Sequence, residues 1–259
     1  MTPAPKMFTY VRKRYKLALL VAVSAMLFLV TYGIKSHLSA AHFSKTFGKR
    51  AVLANKKLVD LRQYFQMCAA LCNSDARFMQ SIVFPEVMRY NSLRDGIETE
   101  SLRTLYVQLG ADYADFSIGL FQMKPSFAES VEAMAAKLLP ATLLNELSLK
   151  YQTSDAVLIR QQRVERLQDE HWQLIYLTAF VGICNRLFET THFANSNERL
   201  QWYATVYNAG FNHSPAYIRK IITADNFYLR NNVRVKKFRY AALSSWYYEQ
   251  EKNAGSGLH

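Results

Sequence analysis

The sequence predicts a mostly α domain carried behind an N-terminal transmembrane signal anchor. Three observations predict it. Apolar residues recur at helical spacing through most of the chain beyond residue 56, with capping residues and prolines between the runs. Strand-like alternation is scarce. An uncharged apolar run stands close to the N-terminus.

That run is Leu17 to Ile34, LALLVAVSAMLFLVTYGI, 18 residues without a charge, close to the roughly 20 that cross a bilayer as a helix. RKRYK (Arg12 to Lys16) precedes it. It predicts a single pass through the bacterial inner membrane, with the N-terminus cytoplasmic and the rest in the periplasm. A cleavable signal, cut near SAA (Ser39 to Ala41) to give a secreted protein, is the competing reading. The run is longer than a usual signal core, which favours an anchor. Residues 1–35 thus read as basic tip and anchor, 36–57 as a basic juxtamembrane linker, 58–250 as the domain and 251–259 as a flexible tail.

The formal net charge is +12. Lys6, Arg12, Lys13, Arg14, Lys16 and Lys35 supply half of it, so the remainder is mildly basic. Such a surface suits an anionic partner or serves only solubility. Export argues against nucleic acid, although RNNVRVKKFR (Arg230 to Arg239) is strongly basic. Cys68, Cys72 and Cys184 form no CxxC pair and read as small buried hydrophobes. No metal or other cofactor is expected.

In chain order, Lys56 to Cys72 has a helical apolar stripe. Asn73 to Asp75 offers caps for ARFMQSIVFPEVMRY, in which Pro85 should kink the helix or start a new turn at Glu86. Ser126 to Leu139 is amphipathic, with Ser126 and Glu129 at capping-box spacing. Ser154 to His192 reads as one long helical stretch whose apolar half, Trp172 to Phe188, is a buried core helix. Asn195 to Gly210 carries a cap, Glu198 at the box position and a terminating glycine. Ser214 to Ile222 is a short helix with Pro215 at its first position.

Glu86 is the candidate for chemistry, because Phe84, Pro85, Val87 and Met88 surround it. An apolar setting disfavours the carboxylate and raises its pKa, and a raised carboxylic acid is what glycosidic cleavage needs as proton donor. Two further segments stand downstream in a telling order. SIGLFQMKPSFAE (Ser117 to Glu129) resembles the S-x-G-L-M-Q-x-x-P-x-x-A signature of soluble lytic transglycosylases and goose-type lysozymes, and YATVYNAG (Tyr203 to Gly210) resembles their A-A-Y-N-A-G signature. The resemblance covers roughly Ala76 to Ser214.

The resemblance implies a lysozyme-like helical domain acting on peptidoglycan glycan strands; the apolar run 17–34 would hold it to the inner membrane, and a cell-envelope protein is a further candidate partner. It implies that Glu86 is first general acid, then general base. Ser117, Gly119 and Gln122 would face the glycan, with Leu120 and Met123 packed beneath or beside it. Tyr207 would touch the carboxyl or the sugar at the bond broken, and Asn208 would fix the loop or bind substrate. Tyr240 or Tyr247 would supply the last tyrosine of the pattern. The residues agree: Gly119 admits a close approach to backbone, and Gln122 offers both donor and acceptor. The chain also departs from the pattern. Val87 stands where the family has Ser, Phe211 replaces a proline, and Ser117 lies 31 positions after Glu86. That interval reads as an inserted hairpin or helix and holds Asp112 and Asp115. Either would serve as the second carboxylate of an inverting hydrolase, roughly 6.5–9.5 Å across the sugar. Loss of activity altogether, leaving a glycan-binding scaffold, is the third alternative.

Overall fold

The computed structural model describes residues 47–90, 92–231 and 234–256. The expected span Leu17–Ile34 and the SAA site lie outside them. Two compact units divide at Gly48, and the second, Lys49–His259, is described below. It is mostly helical, as expected. Among the described residues no helix is long and apolar enough to cross a membrane.

The first helix, α1, covers 47–60, and α2 follows at Arg62–Leu71. Ala51 and Ala54 of α1 are buried, so packing begins inside the stretch that charge alone assigns to a linker. Asp75 then caps α3 (Ala76–Arg89), its Oδ1 accepting from the Arg77 and Phe78 amides at 2.7 and 3.2 Å. Pro85 does not break α3, which runs on through Glu86 to Arg89. Proline costs the helix one donor, the one the Ser81 carbonyl would use. The neighbouring Ile82 carbonyl receives an outside donor, the Tyr240 hydroxyl at 2.9 Å.

The stretch after Glu86 is a helix, α4 (Ser92–Leu109), followed by turns. Next come α5 (Pro125–Leu138) and α6 (Ala141–Leu147). The expected long helix is two, α7 (Ala156–Gln168) and α8 (Glu170–Leu187). Asp169 divides them. Its backbone is extended, and its side chain accepts from the Trp172 amide at 2.9 Å, so a new helix starts there. Helix α9 (Ser196–Ala209) has the expected cap, with Asn195 Oδ1 accepting from the Glu198 amide at 2.9 Å. Gly210 ends it at φ 93°. Ser214 caps α10 (Pro215–Ile221).

The C-terminal stretch adds a short strand pair to the mostly helical domain. Phe227–Asn231 (β1) and Arg234–Phe238 (β2) form an antiparallel pair, with Tyr228 opposite Lys237. Helix α11 (Tyr240–Ser256) follows, reaching into residues that read as a tail.

Helix α8 is the centre of the domain. From Gln173 to Cys184 every residue but Ile175 is buried. Each fully buried Leu, Ile or Phe there contributes roughly 1.5–3 kcal/mol. Helices α5, α7 and α2 pack on α8, and α3 lies between α2, α9 and α11. The three cysteines are free thiols, with Cys72 and Cys184 buried as expected. A polar cluster ties α4, α5, α7 and α8 together. Arg163 reaches Glu132 through Nη2 at 2.6 Å, and its Nη1 donates to Tyr106 Oη at 2.6 Å and Glu129 Oε1 at 3.0 Å. Tyr151 and Tyr176 both donate to Glu132 Oε1 at 2.6 Å.

Candidate active site

Glu86 occupies the last turn of α3, and residues Phe78 to Met88 of that helix are all buried. Its own exposure is 4%. Burial pushes its carboxyl up from 4.5 to about 7, against the weaker downward pull of the Arg89 and Lys124 cations. Near neutral pH the group is therefore divided between acid and carboxylate. Arg89 Nη2 stands 2.8 Å from Glu86 Oε2. The pair is close enough for ion pairing but poorly aligned, and Oε2 accepts no hydrogen bond.

The same Arg89 nitrogen donates to Ser117 Oγ at 3.4 Å, and its guanidinium lies 5.2 Å from the Phe227 ring. Arg89 thus joins the carboxyl to the first residue of the SIGLFQ motif. Its signal in the sequence was positional: a cation three residues after an acid on a helix faces it.

The motif itself is a tight reversal. Ile118 and Met123 exchange backbone hydrogen bonds at 2.8 and 3.1 Å, and Gly119 and Gln122 adopt φ of 69° and 52°. Leu120, Phe121 and Met123 are buried, so Leu120 and Met123 form the support of the loop. Gln122 is half-buried and donates to the Gly119 carbonyl at 3.0 Å. Gly119 has a second reason to be glycine besides its φ. A Cβ there would collide with Gln173 Nε2 and stand 2.5 Å from the Leu167 carbonyl oxygen. The side on which a Cβ would stand faces Leu167 of α7 and Gln173 of α8.

Gln173 is the residue that sequence reasoning passed over. It sits fully buried in the apolar run of α8. Its Oε1 accepts from the Phe121 amide at 2.7 Å, and its Nε2 donates to the Ile118 and Leu167 carbonyls. The Phe121 carbonyl accepts from Tyr207 Oη at 2.9 Å. One residue of the loop is therefore clamped from α8 on one side and α9 on the other. The polar interruption of an otherwise apolar helix was the available clue. Gly119→Ala is expected to lose several kcal/mol, since it adds overpacking to a strained φ. Denaturant unfolding would read this as a lower midpoint with unchanged slope.

Tyr207 and Tyr240 come together at Glu86. Their ring centroids are 6.5 Å apart, and both hydroxyls feel the Glu86 charge. Burial first, then that charge, pushes both well above the ordinary tyrosine value, so both remain hydrogen-bond donors. Tyr247 is elsewhere. It stacks on Phe84 at 4.2 Å and donates to Asn55 Oδ1 at 2.9 Å. Tertiary packing thus separates two tyrosines that the sequence leaves equivalent. Asn208 is half-buried in the last turn of α9, beside Tyr207. Phe211 stacks on Phe127 with centroids 6.2 Å apart and meets Phe180 at 5.2 Å, adding an aromatic brace to that end of α9.

Asp115 has other work. Its Oδ1 accepts from the Ser126 amide at 3.1 Å and its Oδ2 lies 3.3 Å from Lys124 Nζ. It satisfies the start of α5, a role the sequence assigned to Ser126; that helix begins at Pro125, with no side-chain cap from Lys124. Asp112 is exposed in the turn after α4.

Comparison with family models, with curated proteins and with solved structures gives no match. A buried acid raised to about 7, with Arg89 Nη2 2.8 Å from its Oε2, can hold a proton near neutral pH and release it to a bound oxygen. Among the described residues no cluster of His, Cys, Asp or Glu has the makings of a metal site.

Proposed function

We propose that the chain is a membrane-anchored lytic transglycosylase of lysozyme-like helical fold that cuts the bond between N-acetylmuramic acid and N-acetylglucosamine in peptidoglycan. The observation that carries the proposal is the buried Glu86 carboxyl, raised to about 7, set beside Tyr207, Tyr240 and the Ser117–Met123 loop.

In the proposed reaction Glu86 gives its proton to the glycosidic oxygen as the C1–O bond breaks. The carboxylate so formed takes the proton of the muramic C6 hydroxyl. That oxygen bonds to C1, closing a 1,6-anhydro ring and restoring the acid. No water enters, and one carboxyl serves both steps. Arg89 and Lys124 stabilise the intermediate carboxylate, and the tyrosine hydroxyls hold position. Ser117 and Gln122 supply polar contacts at the rim, with Asn208 beside Tyr207.

The hydrolytic alternative needs a second carboxylate to activate water. Asp115 already satisfies an amide and an ammonium, and Asp112 sits in an exposed turn. Both observations favour the single-carboxylate route. Purified protein incubated with peptidoglycan should release anhydro-ended muropeptides by mass spectrometry. Reducing-end products would instead establish a hydrolase, and no products a binding or scaffold protein. Tyr240→Phe should slow release about tenfold, equivalent to about 1.4 kcal/mol. Tyr247→Phe should leave the rate per folded molecule unchanged, a contrast that initial rates at matched folded fraction would measure.

A further inference from the structure

Helices α1 and α2 carry a second apolar face that the fold leaves exposed. Ala54, Leu58, Leu61, Phe65, Ala69 and Cys72 recur every three or four residues and are buried. That periodicity runs through the break at Leu61, so both helices turn the same side inward. The outward side carries large apolar residues among its polar and charged ones. Val52 is 69% exposed, and Leu53 and Met67 are each 62% exposed, with Val59, Tyr64 and Leu71 also open. At about 100° per residue, Val52, Leu53, Val59 and Met67 fall in an arc about 120° wide, which Lys49, Lys56 and Gln63 share. Lone exposed hydrophobes need no explanation, but a stripe of them does.

Charge narrows what covers this stripe. Lys49, Arg50, Lys56, Lys57 and Arg62 are opposed in that stretch only by Asp60. Lys49, Lys56 and Arg62 are exposed. A second copy docking face to face would set these cations against each other. An anionic bilayer would satisfy both features, because exposed apolar side chains enter the acyl boundary while lysines meet headgroups. The uncharged run Leu17–Ile34 lies only a short stretch upstream in the sequence. We infer that the outward face of α1–α2 rests on an anionic lipid bilayer, with Val52, Leu53 and Met67 at the acyl boundary and Lys49 and Lys56 on the headgroups. The inference is independent of Glu86 and of the reaction proposed for it.

The test uses the full chain reconstituted in vesicles of phosphatidylglycerol and phosphatidylethanolamine. Nitroxides are placed singly at Leu53→Cys, Met67→Cys and, as a control on exposed α7, Glu165→Cys, all in a Cys68→Ser background. Accessibility to oxygen and to a water-soluble nickel chelate is then compared. Labels at 53 and 67 should favour oxygen several-fold over nickel, and the label at 165 the reverse. Lys49→Glu with Lys56→Glu should shrink the preference at 53 and 67 toward the control, with the circular dichroism spectrum unchanged. Nickel access equal to that at 165 overturns the inference, as does a chain that fails to float with the vesicles. Shielding from both reagents overturns it too, with dipolar coupling between labels indicating a second copy and its absence a covering protein segment. Loss of cleavage in Glu86→Gln leaves all these readings unmoved.

Discussion

Glu86→Gln is expected to abolish product release while making the domain more stable at neutral and alkaline pH. A general acid typically contributes 10²–10⁴-fold, and glutamine keeps the shape of the side chain without its proton. The stability gain follows from the raised carboxyl. Glu86 titrates at about 7 when folded, against 4.5 ordinarily. Folding therefore favours the neutral acid. That stability is fully present below about pH 4.5 and is lost as pH rises through about 7. At about 1.4 kcal/mol per pH unit, the wild type forgoes roughly 3 kcal/mol by pH 8. Glutamine, always neutral, forgoes nothing. Chemical denaturation of both proteins at pH 5 and pH 8 should show the variant gaining only at the higher pH. Release that equals the wild type in Glu86→Gln would sink the catalytic assignment. Activity should fall as pH rises through about 7, because the first step needs the acid. Arg89 pulls the carboxyl down, so Arg89→Gln should move that alkaline limb upward, which a purely structural role would not do.

Much of the fold was legible because local chemistry fixes helix ends. Asp75 and Asn195 cap the helices they were expected to cap, since an oxygen two or three residues before an amide depends on short-range geometry. Failures came where a distant residue decides. Asp115, eleven positions away, binds the Ser126 amide and displaces the local capping box. Asp169 splits one apparent helix, although the apolar run alone gave no reason to end α7. The β1–β2 pair was missed because both strands are only five residues long and Arg234, Lys236 and Lys237 leave β2 without an apolar alternation. At the site, residue types signalled Glu86 and its apolar setting. The direction that Gly119 faces, the clamp made by Gln173 and the choice of Tyr240 over Tyr247 arise only when α3, α8, α9 and α11 meet.

Arg163→Met should destabilise the domain by about 3–5 kcal/mol, the usual cost of stripping one partner from a buried ion pair. Arg163 is 92% buried in its side chain and Glu132 85%, so water cannot replace what is removed. Glu132 would keep two tyrosine donors but lose its cation, leaving a carboxylate in the interior. Changing both, Arg163→Met with Glu132→Gln, should recover part of the loss, because no net charge then stays buried. Thermal unfolding should show the single variant melting roughly 10 °C below wild type and the double variant between them. The pair bears on function through α5. That helix starts directly after Met123 and Lys124, and Glu129 and Glu132 fasten it to α7 and α8. Loosening it should shift the Ser117–Met123 loop relative to Glu86 without touching either. Residual cleavage by folded Arg163→Met at low temperature should therefore fall in proportion to loop disorder, with its pH limb still at about 7. A displaced limb would mean that the cluster reaches the carboxyl electrostatically and not through the position of α5.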